Sequence, residues 1–136
     1  MDIKGKDIRG RSFVGIAFHG IDDSFDAVYF RAFNFKSPER NTHSVQYISH
    51  PTYTWSKLRK EFPQKYENVV NPVPDPNDWF HVKIDIQYPY VKVYVNNSET
   101  ASLEISQLSE HKKGWLGLWV GNNSEGMYRN LVIKAN

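Results

Sequence analysis

The chain alternates apolar and polar positions with a period of two along most of its length. In "RSFVGIAFHG", residues 11–20, Val14, Ile16 and Phe18 fall on one side. The segment "DAVYFRAFNF", residues 26–35, alternates in the same way and contains neither glycine nor proline. Successive side chains of a β-strand point to opposite faces, and β-branched and aromatic residues favour strands. Both segments are therefore predicted to be strands with one buried face.

The same pattern predicts further strands. "HSVQYISH" at 43–50 alternates, and "WFHVKIDIQ" and "VKVYVNN" form a hairpin around "YPY". "ASLEISQL", "GWLGLWVGN" and "GMYRNLVIKA" complete the series, the last with Leu131 and Ile133 alternating. About nine short strands without a long helix indicate an all-β fold, a two-sheet antiparallel sandwich or jelly roll.

The alternation stops between residues 51 and 78, where five prolines occur. Within this stretch "YTWSKLRKEF" predicts one or two helical turns, with Thr54 or Ser56 as the N-cap. A long loop inside a compact domain is usually functional, and an ordered cover over an open sheet edge is the alternative. We expect one domain over 1–136 that carries this proline-rich loop.

Composition narrows the range of partners. The 136 residues are 15% aromatic and carry a formal net charge of +2, which argues for a folded domain and against nucleic acid as the partner. There is no cysteine and no run long enough to insert into a membrane as a helix. The N-terminus has no apolar signal-peptide region and begins on a strand-like segment. We therefore expect an upstream strand or leader to be missing, and the oligomeric state stays open.

Two segments carry a resemblance to a known fold family. "WFHVKIDIQYPYVKVYVNN" and "GWLGLWVGNNSEGMYRNLVI" resemble the C-terminal half of concanavalin A-like (laminin-G-like) jelly rolls. The residues on that pattern are Trp79, Asn96, Gly114, Gly117, Tyr128, Arg129, Asn130 and Ile133.

A closer resemblance is to bacterial proteins of the 3-keto-disaccharide hydrolase type, which are glycosyl hydrolase-like. "FVGIAFHG" and "AVYFRAF" are similar to two strands of that family, with Gly15 on its glycine, His19 on its arginine, Tyr29 on its glutamate and Arg31 on its glutamine. The resemblance implies a concanavalin A-like sandwich that binds a saccharide on its concave sheet. It also implies export to the periplasm, while a cytoplasmic location stays open.

Polar and aromatic residues share the less apolar faces of three predicted strands. If the strands are neighbours, these side chains converge, and a Trp from the long loop joins them. The predicted saccharide-binding residues are Tyr29, Arg31, Phe33, Gln46, His50 and Trp55. Aromatic rings offer flat apolar surfaces to a pyranose, and Arg and Gln donate hydrogen bonds to hydroxyls. For Arg31 the alternatives are a cation–π pair on an exposed face or an ion pair with Asp26 or Glu39.

Catalysis is harder to predict. Glycoside hydrolysis usually requires two carboxylates on either side of one bond, and the predicted strand faces offer no such pair. The catalytic residues are unknown, and His19 and His50 are the candidates for a general base. No cofactor or catalytic metal is expected, although the Asp-rich turns "GIDDSFD" and "PDPND" leave a structural Ca²⁺ open. Three hypotheses therefore remain: a saccharide-binding domain, a glycoside-processing enzyme that uses His and Arg, and an interaction domain without a ligand.

Overall fold

The computed structural model describes residues 1–134. These residues form ten β-strands and one α-helix, with 3-10 turns at Ala32–Asn34 and Asn41–His43. The strands are β1 (Asp2–Lys4), β2 (Phe13–Ile21), β3 (Ser24–Arg31), β4 (Val45–His50), β5 (Glu67–Asn68), β6 (Phe80–Gln87), β7 (Tyr90–Val95), β8 (Leu103–Ser106), β9 (Trp115–Val120) and β10 (Met127–Arg129), and the helix is α1 (Trp55–Glu61).

The strands form two five-stranded antiparallel sheets. Sheet I has the order β10-β1-β6-β7-β8, and sheet II has the order β5-β4-β3-β2-β9. The hairpin of β6 and β7 pairs Val82 with Val95 and Ile84 with Val93, as the alternating pattern predicts. The prediction of an all-β, two-sheet antiparallel sandwich is therefore confirmed. No helix within residues 1–134 is long and apolar enough to span a bilayer.

The core lies between the two sheets. On sheet II, Phe30 is opposite Val14 on one side and Val45 on the other, and all three are fully buried. The Phe30 ring lies 5.1 Å from the ring of Phe80 in sheet I. The intervening side chains point away from sheet I, because side chains alternate along a strand. We call this side the outer face of sheet II, and it is formed by Phe13, Gly15, Ala17, Phe25, Ala27, Tyr29, Arg31, Gln46, Ile48, His50, Glu67, Trp115, Gly117 and Trp119.

The proline-rich loop contains α1 and β5. Thr54 caps α1, since its hydroxyl accepts a hydrogen bond from the backbone N–H of Lys57 at 3.4 Å, and this is one of the two predicted caps. Leu58 is buried, and α1 contacts β4. Strand β5 pairs with β4 at the edge of sheet II. The loop thus covers one edge of sheet II and brings α1 against it.

Two details of the strand prediction are wrong. β3 ends at Arg31 and continues as the 3-10 turn Ala32–Asn34, so Phe33 is not on the outer face of sheet II. β10 ends at Arg129, and Leu131 and Ile133 are 44% and 68% exposed instead of continuing the strand. Both errors concern the end of a strand, because the strand-like pattern of the sequence continues beyond the last paired residue.

One tyrosine connects the two sheets. The hydroxyl of Tyr128, from β10, accepts a hydrogen bond from the N–H of Gly15 at 3.1 Å. It also lies 3.1 Å from the carbonyl oxygen of Gly15 and 2.9 Å from that of Trp119, either of which can accept a hydrogen bond from the hydroxyl. Burial raises the pKa of Tyr128 to about 12, so this hydroxyl remains protonated near neutral pH.

Candidate functional site

The outer face of sheet II carries aromatic residues at both ends and small residues between them. On β3 and β9 this order is Phe25, Ala27 and Tyr29, and Trp115, Gly117 and Trp119. Four residues of strand span about 13 Å, at about 3.3 Å per residue. The face therefore has two separate aromatic groups with a shallow floor between them.

The first group is built on a pair of stacked rings. The ring centroids of Tyr29 and Trp119 are 4.4 Å apart and their planes are inclined by 19°. The ring of Phe13 meets both edge-on, at 5.8 Å from Tyr29 and 6.5 Å from Trp119. Tyr29 is only 1% exposed, so it supports this surface from beneath and does not present its ring to a ligand. Burial raises the pKa of the Tyr29 hydroxyl, although the charge of Arg31 opposes the effect.

Arg31 lies among three aromatic rings. Its guanidinium carbon is 5.0 Å from the centroid of Phe13, 5.7 Å from that of Tyr29 and 5.2 Å from that of Trp55. One guanidinium nitrogen donates a hydrogen bond to the Tyr29 hydroxyl at 3.4 Å. The structure thus places the predicted residues Tyr29, Arg31 and Trp55 together, and the cation–π interpretation of Arg31 agrees with these distances.

The helix adds a second arginine and a buried carboxylate. Arg59 follows Trp55 by one helical turn, and its guanidinium carbon is 4.9 Å from that ring. Its Nε donates a hydrogen bond to Glu67 Oε2 at 3.1 Å. The other carboxylate oxygen of Glu67 contacts Nδ1 of His43. Glu67 is 1% exposed and pairs in register with Gln46, so it lies beside the predicted residues.

Three buried side-chain polar atoms in residues 1–134 lack a hydrogen-bonding partner, and they all belong to this group: Arg31 Nε, Gln46 Oε1 and Arg59 Nη2. Gln46 is 1% exposed and uses its amide only to donate to the carbonyl oxygen of Tyr47. Buried polar atoms in native proteins are nearly always satisfied, so three exceptions in one place require an explanation. We call the whole group the Arg31 cluster, and it consists of Phe13, Tyr29, Arg31, His43, Gln46, Trp55, Arg59, Glu67 and Trp119.

The second aromatic group lies at the other end of the face. The rings of Phe25 and His50 are stacked, with centroids 5.0 Å apart, and Trp115 lies 5.6 Å from Phe25. A cleft of about 280 Å³ adjoins it, and its polar lining includes Ser109 and His111. His50, a predicted binding residue and candidate base, is therefore separated from the Arg31 cluster along the sheet.

His19, the other candidate base, lies apart from both aromatic groups of the outer face. It is in an irregular part of β2 with φ at 50°, where the register with β3 shifts. Its Nδ1 is 3.1 Å from Gln107 Oε1, and its carbonyl oxygen accepts a hydrogen bond from His111. These contacts connect it to the loop before β9.

The two buried carboxylates within residues 1–134 lie on opposite faces of sheet II. Glu67 is on the outer face, and Asp26 faces the core, where it accepts hydrogen bonds from the hydroxyls of Tyr47 and Ser109 at 2.9 and 2.6 Å. They are separated by the sheet and cannot act on one glycosidic bond as a pair. Across residues 1–134 no three His, Cys, Asp or Glu side chains are grouped to hold a metal ion.

Three residues of the concanavalin A-like pattern, Trp79, Arg129 and Asn130, make contacts within sheet I. Arg129 and Asn130 both donate hydrogen bonds to Asp2 at 3.1 Å, and His81 lies 2.9 Å from the other oxygen of that carboxylate. The Arg129 guanidinium carbon is 4.1 Å from the Trp79 ring. These contacts fix β1 between β6 and β10 in sheet I, away from the Arg31 cluster.

Comparison with known proteins gives one match. Neither a curated protein nor a solved structure was found to match the chain. Residues 7–134 match the family described as the 3-keto-alpha-glucoside-1,2-lyase-like domain. This match covers most of the sequence and confirms the resemblance to proteins of the 3-keto-disaccharide hydrolase type. The chain therefore belongs to the 3-keto-alpha-glucoside-1,2-lyase-like domain family.

Proposed function

We propose that this domain binds a saccharide at the Arg31 cluster, on the outer face of sheet II. The observation that carries the proposal is the concentration there of unpartnered polar atoms on Arg31, Gln46 and Arg59. Sugar hydroxyls accept hydrogen bonds from guanidinium N–H groups, so one saccharide unit can contact the partly exposed side chains of Arg31 and Arg59, whereas Gln46 is as buried as Tyr29. The membership of a family named for glucosides supports a saccharide as the ligand class.

The aromatic residues supply the apolar part of such a site. Trp55 is 45% exposed and Trp119 is partly buried, so both present ring surface beside the polar atoms. The C–H groups of a pyranose ring can pack against these rings while its hydroxyls reach Arg31. This combination of apolar surface and a few fixed polar groups is characteristic of small-molecule sites.

Binding can be measured by a glycan array followed by calorimetry on the oligosaccharides that are retained. Trp55→Ala removes an exposed ring and should weaken binding about tenfold or more, because it removes roughly 1.5–3 kcal/mol of apolar contact. Tyr90→Ala is the matched control, since Tyr90 is 59% exposed on sheet I. Equal affinity of the wild type and Trp55→Ala would place the ligand elsewhere, and absence of binding across the array would refute the proposal.

A second candidate function, glycoside cleavage, is favoured by the contact between His43 and Glu67. A 1,2-lyase acting on a 3-keto-glucoside must remove the proton at C2, which the C3 carbonyl acidifies, and expel the substituent at C1. A histidine oriented by a carboxylate is suited to accept that proton. His43 keeps Nε2 available for this role while its Nδ1 contacts Glu67.

The two functions are separated by one pair of variants. Incubation with a 3-keto-α-glucoside and chromatography of the released C1 group would report turnover. The cleavage hypothesis expects His43→Ala to abolish turnover while retaining binding, and His50→Ala to keep both. Binding without turnover in the wild type would leave the domain as a binding module.

A further inference from the structure

The Arg31 cluster has an unequal charge balance. Arg59 is paired with Glu67, whose carboxylate also contacts His43. Arg31 has no carboxylate within 4.0 Å anywhere in residues 1–134. Among the described residues, its side chain makes one hydrogen bond, the 3.4 Å contact with the neutral hydroxyl of Tyr29. Within this part of the chain, one positive charge is therefore held among aromatic rings without an acidic partner.

This arrangement is costly for the protein alone. Nε of Arg31 is buried and unpartnered, and removing a polar N–H group from water without a hydrogen bond is unfavourable. The rings of Phe13, Tyr29 and Trp55 offset part of that cost through cation–π interactions. A neutral hydroxyl could accept one hydrogen bond from Arg31 but would leave its charge unbalanced.

A carboxylate satisfies both requirements. The planar guanidinium donates two parallel hydrogen bonds to a carboxylate, and charge-assisted bonds are the stronger kind. Repulsion from Glu67 is limited because Arg59 and His43 hold both of its oxygens. Arg59, whose guanidinium carbon is 4.9 Å from the centroid of the same Trp55 ring, also contributes an unpartnered Nη2.

We propose that the saccharide bound at this site is acidic, and that Arg31 selects a carboxylate such as that of a uronic acid. This inference rests on the proposed saccharide-binding function and specifies the substrate class of the same site. It predicts that affinity depends on the charge of the sugar and on salt, which a site for neutral sugars would not show.

The test uses matched oligosaccharides that differ only in acidity. Oligogalacturonides are compared with galacto-oligosaccharides of equal length, and sulfated galacto-oligosaccharides form a third arm. Calorimetry at low and high salt should give about ten- to hundredfold tighter binding of the uronates, with the advantage decreasing as salt rises. Arg31→Gln should remove this advantage. Arg31→Lys should keep part of it, because lysine retains the positive charge but cannot donate two parallel hydrogen bonds to a carboxylate. Arg9→Gln, at an exposed arginine, is the control, and circular dichroism verifies that each variant is folded.

The outcomes separate the two proposals. Equal binding of neutral and acidic sugars, or an acid preference that survives in Arg31→Gln, would overturn this inference and leave saccharide binding intact. A preference for sulfate esters over uronates would overturn the assignment of a carboxylate. If no saccharide in these series or on the wider array binds, the proposed function and this inference both fail.

Discussion

Tyr29 and Trp119 stack at 4.4 Å although they lie on strands separated by a third strand. Gly15, in β2, is the cross-strand partner of both. Strands are about 4.8 Å apart, so side chains two strands away normally cannot make ring contact directly. The rings can meet here because the residue between them has no side chain, and the position of Trp119 therefore depends on a glycine.

Substitution at Gly15 should be severe. A Cβ atom there would lie 2.1 Å from the carbonyl oxygen of Val28 and 2.5 Å from Cα of Tyr29. Both are backbone atoms, so Gly15→Ala should destabilise the fold by about 1–3 kcal/mol or more, as overpacking does. Urea unfolding measures the change.

The control for this prediction is Gly117→Ala. A Cβ at Gly117 would meet only the Trp115 ring, at 3.5 and 3.8 Å, which is ordinary contact. The two glycines lie on the same face of neighbouring strands, so a similar loss of stability in both variants would contradict the steric explanation.

Glu67→Gln should destabilise the protein by about 1–3 kcal/mol, because it removes the charge of a buried carboxylate that accepts a hydrogen bond from Arg59, whose side chain is 30% exposed. Thermal or urea unfolding checks the value. Glu104→Gln is a suitable control, since Glu104 is exposed on β8 and its loss should change stability by less than about 0.5 kcal/mol. A Glu67→Gln variant as stable as the wild type would show that the ion pair is not needed for folding.

Tyr47→Phe should cost about 1–3 kcal/mol, because the Tyr47 hydroxyl is bonded on both sides. It donates to Asp26 at 2.9 Å and accepts from the N–H of Leu108 at 2.9 Å. Burial, reinforced by Asp26, raises the pKa of Tyr47 well above its usual range, so the phenol stays protonated in ordinary buffers. Hydrogen exchange at the Leu108 amide should accelerate in the variant, and unchanged protection would contradict this role.

Asp2 should make folding sensitive to acid. Hydrogen bonds from His81, Asn130 and Arg129 lower the pKa of Asp2 from 3.8 to about 2. Because the folded pKa lies below the unfolded value, this contribution is present above pH 3.8 and is lost as the pH falls toward about 2. An NMR titration of the Asp2 carboxyl should give a midpoint near 2, and Asp2→Asn should lose less stability across the same interval. A midpoint near the ordinary value would contradict the prediction.

The strands of the sandwich could be predicted because alternation is a local property. The register of Val28 and Phe30 toward the core and of Tyr29 and Arg31 away from it follows from period two alone. The predicted alternation is interrupted where the backbone leaves that period, at Phe33 in its 3-10 turn and at His19 in the bulge.

The alternating pattern does not bring the remaining residues of the Arg31 cluster together. Glu67 lies on a two-residue strand, which is too short for an alternating pattern to be recognised. Its partners His43 and Arg59 are separated from it along the chain by irregular segments, so their contacts cannot be read from a local pattern. Phe13 and Trp119 meet Tyr29 through sheet order, which the pattern along a single strand does not determine. One local signal was available, the spacing of Trp55 and Arg59 by one helical turn.

The hydroxyl of Tyr128 has a consequence for how this surface can be altered. It holds the backbone of Gly15 and Trp119 from the side of sheet I. A change at position 128 is therefore expected to shift the backbone that carries Trp119. Libraries designed to alter the preference of the proposed site should consequently vary position 128 together with the residues proposed to contact the ligand.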